Sequence, residues 1–163
     1  MAMTMNIQTP KDLFYYNLCT MYDVEQKLVQ VLQTLAQETQ NQQVKEAFLE
    51  HEQQTRQHVR NLEQCFQIMG QQPQTIDAHA VDGLKQDHDA FSQMQSPEML
   101  HTMFDIAAAS KSEYLEMAAY NGLIQAANAL GLQQCIPLFQ QNLQQEEATA
   151  KKLAMLAQQM GQQ

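Results

Sequence analysis

The sequence predicts an all-α protein: a four-helix bundle of two antiparallel helix hairpins, joined by a crossover that carries a short extra helix. The composition is the first reason, because 30 Gln accompany many Ala, Leu and Met, whereas Gly and Pro number only five and four, which favours helix over strand. Apolar residues also recur at spacings of three and four, as they do on one face of an amphipathic helix. The length of 163 residues is enough for one hydrophobic core and too short for two.

The first hairpin is predicted from helix start and stop signals. Thr9 is a suitable N-cap and Pro10 has the backbone angle of a first helical position, so the first helix should cover about 10–39. A second periodic segment over 42–69 ends before Gly70, which can adopt the left-handed conformation found at helix C-termini. The short connection between the two helices makes them antiparallel.

The second hairpin follows a crossover over 71–96, which is long for a bare loop and should contain a short helix over 75–92. The third long helix is predicted over 97–130, with Gly131 as its stop, and the fourth over 133–160. Helices of about 40 to 50 Å, at 1.5 Å per residue, have to lie side by side. Two hairpins with one long crossover is the connectivity of ferritin-like bundles, so we expect all 163 residues to form a single ferritin-like domain.

Charge and cysteine content exclude several classes of protein. The formal net charge of −9 repels phosphate backbones and anionic lipids, so we expect neither nucleic acid nor a membrane as a partner. No window approaches the roughly 18 consecutive apolar residues of a membrane span, and the N-terminal residues lack the basic and apolar parts of a signal peptide. Cys19, Cys65 and Cys135 are odd in number and have apolar neighbours, which indicates reduced, buried thiols. We therefore expect a cytoplasmic protein.

Three of the long helices carry a carboxylate where their inward stripe should be apolar. Glu25 interrupts the stripe of the first helix, Glu146 interrupts that of the fourth, and Glu113 lies on that of the third. Glu116 borders the same face as Glu113. The predicted stripes of the third and fourth helices are Ile106, Ser110, Glu113, Met117, Tyr120, Ile124 and Phe139, Leu143, Glu146, Ala150, Leu153, Ala157, Met160.

The second helix allows two inward tracks with the same spacing. One passes through Glu52 and the other through His51 and His58, so polar groups face inward in either case. The midpoints of the four long helices fall near residues 25, 56, 113 and 146. All of the interruptions therefore lie at one depth of the bundle.

Carboxylates that meet in a low-dielectric core repel each other, and each unpaired charge costs several kcal/mol unless it is protonated, hydrogen-bonded or neutralised by a cation. Glu residues from facing helices, with a His nearby, are typical of iron or manganese sites in bundle cores, so the predicted cofactor is one or two such ions. The predicted ligands are Glu25, Glu113, Glu146 and His51, with Glu116, Glu52 and His58 as alternates. The alternative is a metal-free structural or interaction bundle, in which hydrogen-bonded carboxyl groups only fix the helix register.

Other polar residues are weaker candidates. Asp87, His88 and Asp89 resemble a metal triplet, but adjacent positions on a helix diverge, so a solvated face is expected. Three tyrosines could donate hydrogen bonds to metal ligands or transfer electrons, although packing explains them equally: Tyr22, Tyr114 and Tyr120. Because the sequence contains no Gly-rich phosphate loop, CxxC pair or nucleophile elbow, no catalytic residue is assigned.

Four segments carry a family resemblance: TPKDLFYYNLCTMYDVEQKL, VKEAFLEHEQQTRQHVRNLEQCF, SKSEYLEMAAYNGLIQAANALG and LFQQNLQQEEATAKKL. They resemble the bacterial stress-induced YciF/YciE-type ferritin-like proteins, a family of unassigned biochemical function, over nearly the whole chain. The resemblance implies a ferritin-like bundle, commonly dimeric, with a two-metal site near its midplane. It places five residues where the family has inward Glu and His: Glu25, His51, Glu113, Glu116 and Glu146.

The chain departs from that family in the second helix. Gln54 stands where the family has Glu, and Glu52 stands where it usually has an apolar residue. Thr149 occupies the position of the His in the general ferritin-like Glu-x-x-His pattern, as the family itself tends to have. Four carboxylates and two histidines in standard spacing are therefore absent from the sequence, which weakens the expectation of oxidase or oxygenase chemistry.

The resemblance also implies a role and an assembly. The role would be stress-related handling of metal ions or oxidants. We expect a homodimer, for which an exposed cluster of Phe14, Tyr15 and Tyr16 could supply the contact surface, although a core role for these aromatic residues fits equally well.

Overall fold

The computed structural model describes residues 6–162 and consists of five α-helices. The first antiparallel hairpin contains α1 (Pro10–Glu38) and α2 (Gln42–Ile68), and the second contains α4 (Glu98–Ala129) and α5 (Ile136–Met160). The crossover between the hairpins carries the short helix α3 (His79–Ser92). The predicted fold class is therefore confirmed. None of these helices is long and apolar enough to cross a membrane.

The packing order places α1 against α2 and α4, and α5 against α4 and α2. Hairpin partners are thus neighbours, and the remaining pairs, α1 with α5 and α2 with α4, face each other across the diagonals. The short α3 packs on the outside of α4 and α1. Side chains from all four long helices can therefore meet on the bundle axis.

The helix ends show which start and stop signals were right. Thr9 Oγ1 accepts a hydrogen bond from the Asp12 backbone N–H at 3.2 Å, and the Asp12 carboxylate accepts one from the Thr9 N–H at 2.8 Å, so α1 begins with a capping box. Gly70 and Gly131, with φ of +68° and +72°, follow α2 and α4 in the left-handed conformation that favours glycine.

Two helices begin later than the sequence predicts. The short helix begins at His79 rather than at 75, because the Ala78 N–H donates to the Asp23 carboxylate at 2.9 Å and so fixes the preceding chain on α1. The last helix begins at Ile136 rather than at 133. Pro137 has no N–H to donate and is tolerated only in the first turn, so α5 cannot extend a turn further back.

The apolar core consists of two clusters with a polar layer between them. One cluster lies toward the N-terminal half of α1 and includes Leu18, Met21, Leu62, Phe66 and Phe139. The other lies toward the C-terminal half of α1 and includes Leu32, Leu35, Phe48, Ile106 and Leu153. All ten of these side chains are at most 3% exposed.

The aromatic cluster near the start of α1 is not an exposed patch. Phe14 is buried and its ring centroid lies 6.2 Å from that of Phe139, while Tyr15 packs edge-on against Phe66. Of the two alternatives, the core role is right for Phe14, because this residue continues the apolar stripe that contains Leu18. The homodimer stays a prediction.

Candidate metal centre

Six ionisable side chains form the polar layer across the middle of the bundle. One comes from α1, two come from α2, two from α4 and one from α5, and none is more than 3% exposed. They are Glu25, His51, His58, Glu113, Glu116 and Glu146. We call this set the buried layer. It contains all of the predicted site residues except Glu52.

The first group of possible ligands connects α2 with α4 and α5. His51 Nε2 lies 2.8 Å from Glu113 Oε1 and 3.7 Å from Glu146 Oε2. Together with Glu116, these residues offer four ligand atoms that all lie within 4.8 Å of one another. Two ligands that each sit about 2.1 Å from an ion, at right angles, are about 3 Å apart. The observed spacing therefore fits one shared cation.

The second group lies beside the first and shares a carboxylate with it. His58 Nδ1 lies 2.8 Å from Glu146 Oε1 and 3.3 Å from Glu25 Oε1. One oxygen of Glu146 thus faces His58 and the other faces His51. A carboxylate placed in this way can bridge two ions.

The orientation of His51 is fixed from outside the buried layer. Thr149 Oγ1 donates a hydrogen bond to Gln54 Oε1 at 3.3 Å and also lies 3.3 Å from His51 Nδ1. Because the hydroxyl has one proton and gives it to Gln54, its oxygen accepts the Nδ1–H of His51, which leaves the Nε2 lone pair facing Glu113. Metal-binding histidines are usually held by their second nitrogen in this way. Gln54, which departs from the family pattern, and Thr149, which follows it, therefore both serve to orient His51.

His58 is held in the same manner. Its Nε2 atom lies 2.7 Å from Gln145 Oε1, an amide oxygen that can only accept. Nε2 therefore carries a proton, and Nδ1 is the nitrogen that faces Glu25 and Glu146. Both histidines thus direct one nitrogen into the layer, and Glu146 is the carboxylate that they share.

A chain of hydrogen bonds holds Glu25. The Tyr120 hydroxyl donates to Glu25 Oε1, and Asn142 Nδ2 in turn donates to the Tyr120 oxygen at 2.9 Å. Asn61 Nδ2 donates to Asn142 Oδ1 at 2.7 Å, which connects α2 to α5 just beyond His58. The carboxylate of Glu25 is therefore positioned through one of its oxygens, and the other remains without a donor.

The buried layer also contains nearly all of the unpaired polar atoms in the described part of the chain. Apart from Ser96 Oγ, every buried side-chain nitrogen or oxygen without a hydrogen-bond partner belongs to it. They are Glu25 Oε2, His58 Nδ1 and both carboxylate oxygens of Glu113, Glu116 and Glu146. The 2.8 Å contacts of His51 with Glu113 and of His58 with Glu146 become hydrogen bonds only when the histidine nitrogen or the carboxyl group carries a proton. Buried polar groups are normally paired, so such a concentration needs an explanation.

Burial shifts the pKa of the carboxyl groups upward. It raises the pKa of Glu116 well above its usual range, and the neighbouring carboxylates of Glu146 and Glu25 add to that shift. Burial also raises the pKa of Glu113 to about 7, and it raises the pKa of Glu146. The charges acting on these three groups come from other members of the buried layer, and no Lys or Arg is among them. The protein itself therefore supplies no permanent positive charge to the layer.

The two histidines respond differently to the same surroundings. Burial lowers the pKa of His51, and the carboxylate of Glu146 only partly offsets this. Burial also opposes the charge on His58, but the carboxylates of Glu25 and Glu146 raise its pKa well above its usual value. His58 is therefore the histidine of the layer that the neighbouring carboxylates favour in its charged form.

Glu52 takes no part in the buried layer, which corrects its place among the predicted ligands. Its Oε1 lies 2.5 Å from Arg56 Nε, one turn along α2, and accepts a hydrogen bond from Gln33 Nε2 at 3.0 Å. Of the two inward tracks on α2, the one through His51 and His58 faces the bundle axis. The hydrogen bond from Gln33 holds Glu52 toward α1, and Arg56 neutralises its charge there.

The other weaker candidates lie elsewhere. The hydroxyl of Tyr22 donates to Glu63 at 2.8 Å, and Tyr114 is 66% exposed, so Tyr120 is the tyrosine at the site. The prediction that His88 lies on a solvated face was wrong. Its Nε2 lies 3.1 Å from Asp105 Oδ1, and its side chain is only 12% exposed. This contact fastens α3 to α4 away from the buried layer.

Sequence reasoning missed the residues that support the ligands. Asn61, Asn142 and Gln145 were not predicted. Asn61 lies three residues after His58, and Asn142 and Gln145 lie four residues and one residue before Glu146. The spacing of Asn142, four residues before Glu146 on the same face, was the available signal. It is weak in a chain with so many polar helical residues.

Comparison with known proteins gives consistent matches over nearly the whole chain. Residues 9–163 match the family described as Domain of unknown function (DUF892). Protein YciF of Escherichia coli (strain K12) is 29% identical over 154 residues, which cover 94% of this chain and 93% of that protein. The crystal structure of the E. coli stress protein YciF aligns with a TM-score of 0.91 at 26% identity, over 96% of this chain and 99% of that one. YcfI from Rhodopseudomonas palustris, provisionally described as a structural protein, aligns with a TM-score of 0.88 at 26% identity, over 94% and 97% of the two chains.

Proposed function

Since the chain belongs to the family described as Domain of unknown function (DUF892), which names no activity, we propose a function from the geometry of the buried layer. The proposal is a ferritin-like protein that binds two divalent metal ions, iron or manganese, between its four long helices. The family match and the similarity to YciF confirm the resemblance seen in the sequence.

The concentration of unpaired buried oxygens in one layer is the observation that carries the proposal. An unpaired buried polar group costs about 1–3 kcal/mol, and more if it is charged. Glu113, Glu116 and Glu146 contribute both of their carboxylate oxygens to this set. Folded proteins are stable by only about 5–15 kcal/mol, so the layer needs a partner. Cations placed between the carboxylates and the inward nitrogens of the two histidines would pair all of these atoms together.

The charges balance with two ions. Four carboxylates carry four negative charges, and two divalent cations with two neutral histidines would neutralise them. Glu146 faces both groups of ligands and would therefore be the carboxylate that both ions share. The ligand set is four Glu and two His, as in di-metal bundles, but both histidines come from α2 and neither from a Glu-x-x-His pattern.

The ligand types favour iron or manganese. Carboxylate oxygens with imidazole nitrogens suit these ions, whereas thiolates would favour zinc or copper. The three cysteines contribute nothing to either ligand group. An iron or manganese ion held there would supply redox chemistry that protein side chains lack. Because the similar E. coli YciF is described as a stress protein, we extend the proposal to the handling of metal ions or oxidants during stress.

Metal analysis of protein purified without chelator or affinity metal tests the proposal. We expect close to two ions per chain after loading with Fe²⁺ or Mn²⁺ under anaerobic conditions. The double variant Glu25→Gln/Glu146→Gln removes one ligand and the bridge while keeping the side-chain volumes, and it should lose stoichiometric binding. Glu147→Gln is the matched control, because Glu147 is exposed on the same helix. Equal binding by the double variant and the control would rule out this site.

The second candidate is a metal-free structural or interaction bundle. The raised pKa values of Glu113 and Glu116 favour it, since protonated carboxyl groups could stay in the core without a cation. The provisional description of YcfI as a structural protein points in the same direction. This candidate predicts less than about 0.5 ion per chain in the same analysis, and glutamine variants that fold as well as the wild type.

A further inference from the structure

A cleft between α2 and α5 reaches the buried layer from the surface. It has a volume of about 60 Å³, and its wall includes His51, Gln54 and Thr149, the three residues that form the hydrogen-bonded chain described above. His51 is the member of this wall that also belongs to the buried layer. The cleft therefore ends at the imidazole whose far side faces Glu113.

The larger cavity in the described part of the protein leads elsewhere. It has a volume of about 300 Å³ between α1, α3 and α4, and none of the six residues of the buried layer lines it. Organic ligands usually occupy cavities of roughly 300–1,000 Å³. This larger cavity has enough room for an organic molecule but is not lined by any candidate metal-binding residue. The cleft that reaches His51 is too small for an organic molecule.

The size of the cleft limits what can use it. One water molecule takes about 30 Å³ of liquid volume, so a cleft of this size holds roughly two. Its polar wall, with the amide of Gln54 and the hydroxyl of Thr149, suits an ion that is losing its hydration water or a neutral molecule of similar size. Organic substrates are excluded by volume.

An ion pair lies on the solvent side of the cleft wall. Lys152 Nζ of α5 contacts the carboxylate of Glu50 of α2, and both residues line the cleft. Their side chains are about half exposed, at 47% and 57%. An exposed ion pair of this kind contributes at most about 1 kcal/mol, so it opens easily. When it opens, the Glu50 carboxylate is left at the mouth and attracts cations.

We propose that this cleft is the access route by which metal ions and other water-sized ligands reach the buried layer, and that the Glu50–Lys152 pair controls it. The inference rests on the proposed function. A route differs from a ligand in one measurable respect: narrowing it slows binding and release by the same factor and leaves the dissociation constant unchanged.

Two variants change the cleft in opposite directions. Ala148 lines the cleft and is exposed, so Ala148→Phe narrows it without altering the core. Lys152→Ala removes the ion pair and opens the mouth. The matched controls are Ala154→Phe and Lys151→Ala, because both residues are exposed on α5 outside the cleft.

The experiment measures the rate of Mn²⁺ uptake by metal-free protein, followed through the electron paramagnetic resonance signal of free Mn²⁺, and the rate of removal by excess chelator. Ala148→Phe should slow both rates at least tenfold, and Lys152→Ala should raise both at least threefold, with stoichiometry and dissociation constant as in the wild type. The controls should match the wild type.

The possible results separate the two proposals. If both variants bind metal with full stoichiometry and at wild-type rates, the access route is overturned and metal binding stands. If Ala148→Phe does not fold, the rates of Lys152→Ala alone decide between these results. A wild-type protein that takes up no Mn²⁺ overturns the proposed function itself. A changed dissociation constant in Ala148→Phe would also contradict the route, because it would indicate a disturbed site.

Discussion

The hydroxyl oxygen of Thr149 lies 3.3 Å from Nδ1 of His51, across the interface between α5 and α2. Because the same hydroxyl donates to Gln54, the contact decides which nitrogen of His51 is free to bind a metal ion. A position at which a general ferritin-like site would have a histidine ligand has thus become a support for a histidine on another helix.

Replacing Thr149 with Val should weaken metal binding without changing its stoichiometry. The variant keeps the side-chain shape but removes the acceptor for the Nδ1–H of His51, and loss of such a support typically costs about 10–100-fold in metal affinity. Competition with a chelator of known affinity measures the effect. Thr34→Val, at an exposed position of α1, is the control and should bind as the wild type does. An unchanged affinity in Thr149→Val would contradict the role assigned to this hydroxyl.

Glu113→Gln should alter how the stability of the metal-free protein depends on pH. The pKa of Glu113 is about 7 in the folded protein against an ordinary value of 4.5. Between these values the unfolded chain gives up its proton while the folded protein keeps it, so the folded wild type loses stability as pH rises, by about 3 kcal/mol in total. The variant lacks this loss. Urea unfolding in chelator at pH 4.5 and pH 8 should show the wild type weakening relative to the variant.

The control for that measurement is Glu147→Gln, whose carboxyl group is exposed. Its stability should follow that of the wild type at both pH values. The opposite result would be a wild type whose free energy of unfolding rises relative to that of Glu113→Gln between pH 4.5 and pH 8. It would show that the Glu113 carboxylate is paired in its charged form even without metal.

Metal binding should release protons and strengthen as pH rises. The carboxyl groups of Glu113, Glu116 and Glu146 all have raised pKa values, and each must be deprotonated before it binds a cation. At pH 6.5 we expect at least one proton to be released per chain on loading. Titration calorimetry in buffers with different protonation enthalpies counts these protons. A binding enthalpy that is independent of the buffer would mean that the carboxylates are already ionised.

Tyr120→Phe should destabilise the metal-free protein by about 1–3 kcal/mol, since it removes the hydroxyl that donates to Glu25 Oε1 and leaves Asn142 Nδ2 with only the His58 backbone oxygen as acceptor. With metal bound, the loss should be smaller, because the ion can take over the pairing of Glu25. Tyr114→Phe is the control, as Tyr114 is 66% exposed and should tolerate the change. Equal losses with and without metal would place Glu25 outside the ligand set.

The sequence was most informative where a charge interrupts a strong apolar pattern. Glu25 stands between Met21 and Leu28 on α1, so its inward position followed from spacing alone, and the structure buries all three side chains. Glu146 was found in the same way on α5. On these helices the hydrophobic effect determines which face is inward, so a charged residue on that face is buried with its apolar neighbours.

The α4 and α5 stripes were less accurate, because Ala residues lie on several sides of these helices. On α4 the buried face runs through Ala109, Ser112 and Glu116 rather than through Ser110 and Met117, so Glu116 is central and not at the border. On α5 it runs through Asn142, Thr149 and Leu156 rather than Leu143, Ala150 and Ala157. A shift by one position preserves the spacing of three and four, so periodicity cannot detect it.

The hydrogen-bond partners of the ligands could not be predicted for a different reason. Asn61 and Asn142 look like surface residues in a chain with 30 Gln, because an amide side chain suits both a solvated helix face and a buried network. Their mutual hydrogen bond depends on how α2 meets α5 in space. Sequence spacing within one helix contains no information about that contact.

Without a cation, the two apolar clusters are separated by carboxylates that repel one another. We then expect each cluster to melt separately, because the region between them contributes little free energy to coupling the two ends of the bundle. The calorimetric enthalpy of melting of chelated protein should accordingly exceed the van't Hoff enthalpy, and loading should bring the two into agreement. Supply of free metal would in that case set the cooperativity of the molecule, deciding whether it melts as a single unit or as two.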